Sequence, residues 1–293
     1  MIKFSARTVR FIAAVLFALS VITPPTSAKE ISLIRDSEIE SIIHAYAAPL
    51  FAAAGLDPAA VSVHIVNDSR LNAFVAGGLN LFVNTGLLMS SDSPDTVIGV
   101  FAHETGHLAG GHLARNREAL ENATAKSILA YILGATAILA GSGEASGAIV
   151  HTGQAVAQRS IIRYSQTQER SADQAAVRYL EATGRSAKGL LDIFYQLEEQ
   201  ELLVAERQDP YLRSHPLTRE RIQFVENFIA NANYPVTPSS SAELLAHRRM
   251  VAKLFAFLNS PSKALRTYGK NDKSLTARYA RSIAYFRIPD LGK

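Results

Sequence analysis

One short segment, Ser93 to His107, constrains the fold of this chain more than any other part of its sequence. Its first three residues, Ser93-Pro94-Asp95, are types favoured at the N-cap, the first position and the first turn of a helix, so a helix should begin here. The segment ends in His103-Glu104-Thr105-Gly106-His107. Residues four positions apart lie on one face of a helix, so both imidazoles can bind a single ion. The sequence therefore predicts a helix that carries a metal site.

The residue types of this motif fit the chemistry of zinc. Glu104 lies about 100° round the helix from His103, where its carboxylate can reach a metal-bound water. The alternative interpretation is a pair of hydrogen-bonded core histidines without a metal. A catalytic zinc site takes three protein ligands and keeps a fourth position for water, so the motif requires a third ligand from elsewhere in the chain.

His112 is one candidate for the third ligand. It follows Gly110, which stands where the pattern HExxHxxGxxH has its glycine, but the last histidine of that pattern would fall at Leu113. Binding through His112 would need a sharp turn just before it. We therefore expect His112 to lie at a solvated end of the helix.

Glu169 is the stronger candidate, because it lies on an apolar helix face together with Asp173. The apolar residues of that face are Ala172, Ala175, Ala176 and Leu180. Two carboxylates on such a face are costly unless each has a partner. A metal ion for Glu169 and the N–H of a ligand imidazole for Asp173 would satisfy both. The alternative is an exposed acidic stretch that pairs with nearby arginines.

The composition is that of a chain that can bury a core. Hydrophobic residues make up 48% of it, charged residues 19%, and there is no cysteine, which excludes disulfide bonds. Residues 1–28 contain three basic residues, an apolar run from Phe11 to Thr23 and a stretch of small residues that ends at Ala28, as in a cleaved secretory signal. Without them, 27 basic residues stand against 26 acidic ones, so the net charge gives little support for a general surface that binds nucleic acid or an anionic membrane.

Further patterns predict a small sheet among helices. A helix should run from Asp36 towards Gly55, and β-strands over Val61–Val66, Asn72–Ala76 and Leu79–Asn84, the last two joined by a Gly-Gly turn. We expect Leu79–Asn84 to be an edge strand that can pair with an extended substrate. The apolar run Ser127–Gly141 is too short for a membrane span and indicates a buried helix or a flap. Later helices are predicted over 165–183, 187–206, 217–232, 242–258 and 274–287.

Four ordered motifs resemble the HtpX/BepA-like gluzincin metallopeptidases. They are His103–His107, Glu169 with Ala172-Asp173, the stretch Asn72–Leu88, and His215–Ile222. The resemblance implies one Zn²⁺ per chain on His103, His107 and Glu169, with Glu104 as general base on a zinc-bound water. It also implies an α+β, mainly α fold: a zincin-like protease core with a small β-sheet and an HExxH active-site helix. The tail resembles a short TPR-like helical appendage, where BepA-type members carry several repeats.

The predicted organisation is a signal peptide at 1–28, a zinc metalloprotease domain at 29–235, and a linker with a TPR-like segment at 236–293. His215 and Arg221, in the His-Pro motif, are further candidate catalytic residues. They could stabilise the oxyanion, and His215 could instead be a reversible fourth ligand of the zinc that acts as a latch.

The predicted function is that of a periplasmic, zinc-dependent endopeptidase that cleaves unfolded or misassembled envelope proteins. The alternative is a protease-derived chaperone or assembly factor for outer-membrane proteins with little proteolysis. The expected partners are polypeptide substrates and the outer-membrane assembly machinery, with peripheral membrane contact as an option and no nucleic acid.

Overall fold

The computed structural model describes residues 32–139, 143–201 and 210–288. The segment interpreted as a signal peptide lies outside the described residues. From Leu33 onward the chain forms one unit. None of the described helices combines the length and the apolar character that crossing a membrane requires.

A four-stranded sheet lies at the N-terminal side of the fold. Its strands are β1 (Leu33–Ile34), β2 (Ser62–Val66), β3 (Ala73–Ala76) and β4 (Asn80–Asn84), in the order β1-β2-β4-β3. The predicted hairpin is confirmed: β3 and β4 are antiparallel, and both glycines of the turn have positive φ angles, 60° and 93°. The predicted edge position of Leu79–Asn84 is wrong, because β2 pairs with β4 in parallel and leaves β3 at the edge.

Helices make up most of the described chain, which confirms the mainly helical α+β class. The first six are α1 (Ser37–Ala53), α2 (Thr85–Ser90), α3 (Pro94–Ala109), α4 (His112–Leu139), α5 (Gly143–Ala182) and α6 (Lys188–Glu201). The others are α7 (Pro210–Ser214), α8 (Arg219–Ala230), α9 (Ser241–Leu258), α10 (Pro261–Thr267) and α11 (Leu275–Phe286).

Helix α3 is the central element of the core. It begins as predicted, with the Ser93 hydroxyl accepting from the backbone N–H of Asp95. Two glycines let neighbouring helices approach its backbone. A Cβ at Gly99 would lie 2.4 Å from the backbone N of Leu190 on α6, and one at Gly106 would lie 2.8 Å from the carbonyl O of Ala172 on α5. Gly106, the fourth residue of the histidine motif, therefore allows α5 to pack this closely.

Helices α4 and α5 form a long hairpin that contradicts one expectation. The apolar run after Ser127 is helical, but its large side chains from Ile128 to Leu133 are exposed, so of the two predicted alternatives, a buried helix or a flap, the buried helix is wrong. The predicted helix over 165–183 is the second half of α5, which begins already at Gly143.

The C-terminal helix α9 contributes side chains to two separate clusters of buried residues. Met250 and Leu254 of α9 belong to the main core, while Ala252 and Ala256 form a second cluster with α10 and α11. The boundary at residue 235 and the TPR-like character of this part stay predictions.

We expect Gly106→Ala to lower the free energy of unfolding by about 1–3 kcal/mol, because the added methyl group collides with the α5 backbone. In a helix interior without such a contact, Gly→Ala would raise the free energy of unfolding by about 1 kcal/mol. The sign of the measured change therefore shows whether the contact with α5 exists. Gly269→Ala is the control, since its Cβ would meet its nearest neighbour at 3.9 Å. Urea unfolding of both variants measures the difference. A Gly106→Ala variant as stable as the parent would contradict the close approach.

Candidate metal centre

Four buried side chains from three parts of the chain converge at the C-terminal half of α3. They are His103 and His107 on α3, Glu169 on α5 and His215 on the loop after α7. Each offers one ligand atom, and these atoms all lie within 4.8 Å of one another. The sequence predicted the first three as ligands and named His215 as an alternative fourth.

The spacing of these atoms fits a tetrahedral metal site. The Nε2 atoms of the two motif histidines lie 3.1 Å apart, and each lies 3.3 or 3.4 Å from a carboxylate oxygen of Glu169. His215 Nδ1 lies 3.4 Å from His103 Nε2 and 3.2 Å from Glu169 Oε1. Ligands at zinc's usual bond length of about 2.0–2.1 Å in a tetrahedron would be about 3.3 Å apart. The group can therefore hold one metal ion.

Glu104 lies beside this group and is completely buried. Among the described residues, neither of its carboxylate oxygens has a hydrogen-bond partner, and its Oε1 lies 3.5 Å from His215 Nε2. A buried carboxylate in this state is costly. Burial raises the pKa of Glu104 above its usual value. The position calls for a group that the described residues do not supply, such as a metal ion or a water held by one.

Asp173 supports His103, as the sequence predicted for a ligand imidazole. Its Oδ1 lies 2.9 Å from His103 Nδ1, on the side of the ring away from the metal group. Arg221 donates to both oxygens of Asp173, from Nε at 2.6 Å and from Nη2 at 2.9 Å. Burial alone would raise the pKa of Asp173, but the charge and hydrogen bonds of Arg221 outweigh it and hold the pKa below its usual value.

Arg221 connects this support with two other parts of the site. Its Nη1 lies 3.1 Å from Glu169 Oε2 and donates to the backbone O of Pro216 at 2.9 Å. The guanidinium also stacks over the ring of Phe194, 4.8 Å from its centre. The N–H groups of Arg221 thus bond to two carboxylates and to a backbone oxygen next to the metal group.

His112 does not lie where the sequence predicted it. It is buried, and its Nδ1 lies 3.0 Å from His107 Nδ1, so the expected solvated helix end is wrong. The reason is the turn at Gly111, whose φ of 62° folds the start of α4 back onto α3. Burial, followed by the charge of Arg115, lowers the pKa of His112 and favours its neutral form. Neutral His112 can accept from His107 Nδ1 and so direct His107 Nε2 at the metal group.

Comparison with known proteins connects this geometry to a family. The model for peptidase family M48 matches residues 34–229. The beta-barrel assembly-enhancing protease of Yersinia pestis is 26% identical over 76% of this chain and 46% of that protein. The putative protein of that name from Vibrio cholerae is 26% identical over 75% of this chain and 45% of that protein.

A more distant relative comes from a eukaryote. The mitochondrial metalloendopeptidase OMA1 of Schizosaccharomyces pombe is 23% identical over 62% of this chain and 51% of that protein. The chain thus spans about half the length of these relatives.

We expect His112→Phe to weaken zinc binding by about 10–100-fold, because His107 loses the acceptor that fixes its ring. His112→Asn keeps a side-chain oxygen that can accept and should retain more of the affinity. Competition with a chelator measures the zinc dissociation constant of each variant. His151→Phe is the matched control, since His151 is exposed on α5. A zinc dissociation constant unchanged in His112→Phe would remove His112 from this role.

Proposed function

The chain belongs to peptidase family M48, a family of zinc metallopeptidases, and from that premise we propose that it is an endopeptidase whose zinc is held by His103, His107 and Glu169. The resemblance predicted from the sequence motifs is thereby confirmed. Because the chain covers about half of each relative, the cleavage reaction, its substrates and its partners are our proposals.

The observation that carries the proposal is the state of Glu104. A structural zinc site is closed by four ligands and has no use for a further buried carboxylate beside them. Here both oxygens of Glu104 are buried without a partner among the described residues, next to the metal group. A carboxylate kept in this costly state has the position expected of a general base.

The chemistry divides between the ion and the chain. A bound zinc ion in a site of this kind lowers the pKa of a coordinated water to about 7 and polarises a carbonyl. Glu104 takes the proton of the attacking water and returns it to the leaving amine. Asp173 and His112 keep the two motif imidazoles in the orientation for binding, and Arg221 positions Asp173 and Glu169 through its hydrogen bonds.

His215 acts as a latch in this proposal. The four ligand residues are almost completely buried, with His107 5% and His215 7% exposed, so a polypeptide can reach the ion only after a side chain moves. His215 is the one among them that lies on a loop, between the short helix α7 and α8. Its ring rests on Tyr211, with the ring centres 4.5 Å apart. Release of this loop would open the fourth position for water.

The substrate that fits the site is an extended polypeptide. Strand β3 contacts α3 and is an edge strand among the described residues, so its outer backbone groups can pair with a substrate strand. Such pairing recognises the backbone groups of an extended chain, so it suits unfolded proteins. The names of the two bacterial relatives, together with the signal-like residues 1–28, support a periplasmic enzyme that acts on envelope proteins during outer-membrane assembly.

We expect Glu104→Gln to keep its zinc and to abolish cleavage of unfolded casein, because the amide can neither accept nor return a proton. Zinc content and peptide release are measured on the same sample. Glu118→Gln, on the exposed part of α4, is the control and should cleave normally. Undiminished cleavage by Glu104→Gln would contradict the mechanism. A parent chain that holds zinc but cleaves nothing would favour the assembly factor.

His215→Ala distinguishes the latch from an oxyanion-stabilising residue by the sign of its effect. As a latch, His215 competes with water, so its removal should raise kcat on unfolded casein while zinc stays bound by three ligands. As an oxyanion donor, its loss should lower kcat by about 10²–10³. Steady-state kinetics decide between them, with His151→Ala as the control. A hundredfold fall in kcat with unchanged zinc content would rule out the latch.

A further inference from the structure

The hairpin of α4 and α5 exposes a group of large apolar side chains. Five of them lie close together on α4, each with between 49% and 56% of its surface exposed: Ile128, Leu129, Tyr131, Ile132 and Leu133. Three more on α5 are also exposed: Val156, Ile161 and Ile162. Scattered exposed apolar residues are normal, but a continuous group of this size marks an interaction surface.

The contact between the two helices is made by small residues instead. Ala123, Ala130 and Ala157 are buried in it, and a Cβ at Gly153 would lie 2.1 Å from the Cβ of Ala130. A hairpin that stays in water gains most by burying its large apolar side chains between the helices. Helices in lipid pack through small residues and leave the large ones outside. The hairpin has the second arrangement.

The positions of the charged residues show how far the exposed apolar surface can extend along the hairpin. Between Lys126 and Arg159 the sequence contains a single acidic residue, Glu144, and no basic one apart from His151. Lys126 donates to Ser160 at 3.2 Å, which places it at the level of Arg159. These two residues and Arg163, all exposed, form a cationic collar where the uncharged part begins. Such a collar complements the anionic headgroups of a bilayer.

We propose that the α4–α5 hairpin inserts into one leaflet of an anionic lipid bilayer, with the collar at the level of the phosphates. Beyond Lys126, α4 continues for 13 residues, about 20 Å of helix. One leaflet contributes about 15 Å of hydrocarbon, so the hairpin is long enough to enter the membrane and too short to cross it.

The insertion would place the metal group at a fixed height above the membrane. His112 starts α4, and the collar begins 14 residues later at Lys126, which corresponds to about 21 Å of helix. On α5, Glu169 follows the collar residue Arg159 by 10 residues, about 15 Å of helix. Bound in this way, the protein presents its site to polypeptides at the bilayer surface. The insertion itself does not depend on proteolysis.

Tryptophan fluorescence tests the insertion directly, because the chain contains no tryptophan. Leu129→Trp and, as control, Phe286→Trp on the exposed face of α11 are prepared in the zinc-loaded full chain with Glu104→Gln, which prevents self-cleavage. Vesicles of phosphatidylethanolamine and phosphatidylglycerol should shift the Leu129→Trp emission to the blue, and brominated lipids should quench it. Phe286→Trp should change little, and vesicles of phosphatidylcholine alone should bind more weakly.

A loss-of-binding variant supplies the second measurement. Leu129→Asp combined with Ile132→Asp should lower the vesicle partition coefficient by about tenfold or more, whereas Leu275→Asp on α11 should leave it unchanged. Circular dichroism and zinc content show whether the variants fold. Absence of vesicle binding by the parent chain, or equal binding by the double variant, would overturn the proposal. An emission shift that depends on protein concentration and needs no lipid would instead assign the surface to a second copy of the chain.

Discussion

The buried ion pair between Asp173 and Arg221 connects the parts of the metal group. Asp173 fixes the ring of His103 on α3, while Arg221 reaches Glu169 and the carbonyl of Pro216, next to His215. Three helices and the His215 loop therefore meet in one network of charge-assisted hydrogen bonds. Removing either residue would take from the other buried charge its closest partner, at 2.6 Å, which is a strongly destabilising change in a protein core.

The buried charges around the metal group favour the binding of a cation there. Glu104, Glu169 and Asp173 are three buried carboxylates, and Arg221 is the buried guanidinium that faces them. With all four ionised, two negative charges remain, which one divalent cation neutralises. A histidine that binds a metal does so as a neutral imidazole, so it supplies a nitrogen ligand without adding charge. Metal binding and folding are thus coupled, since the cluster is costly to bury without its ion.

The sequence predicted those features that depend on local rules. Capping and turn patterns predict the start of α3 and the Gly-Gly hairpin. Helical periodicity predicts that Glu169 and Asp173 share one helix face. Other features depend on distant parts of the chain. The interior position of β4 requires its parallel partner β2, and the burial of His112 requires the turn at Gly111. The partners of Arg221 are likewise set by how α5 and α8 pack, which no local pattern contains.

X-ray absorption at the zinc edge, on the protein reconstituted with zinc, tests the central claim that His103, His107, Glu169 and His215 together bind one ion. The account predicts one zinc per chain with four nitrogen or oxygen neighbours at about 2.0–2.1 Å, and a scattering pattern from three imidazoles. The same measurement on His103→Ala should lose the ion or one imidazole. Fewer than three imidazoles in the parent protein, or zinc bound unchanged in His103→Ala, would contradict the account.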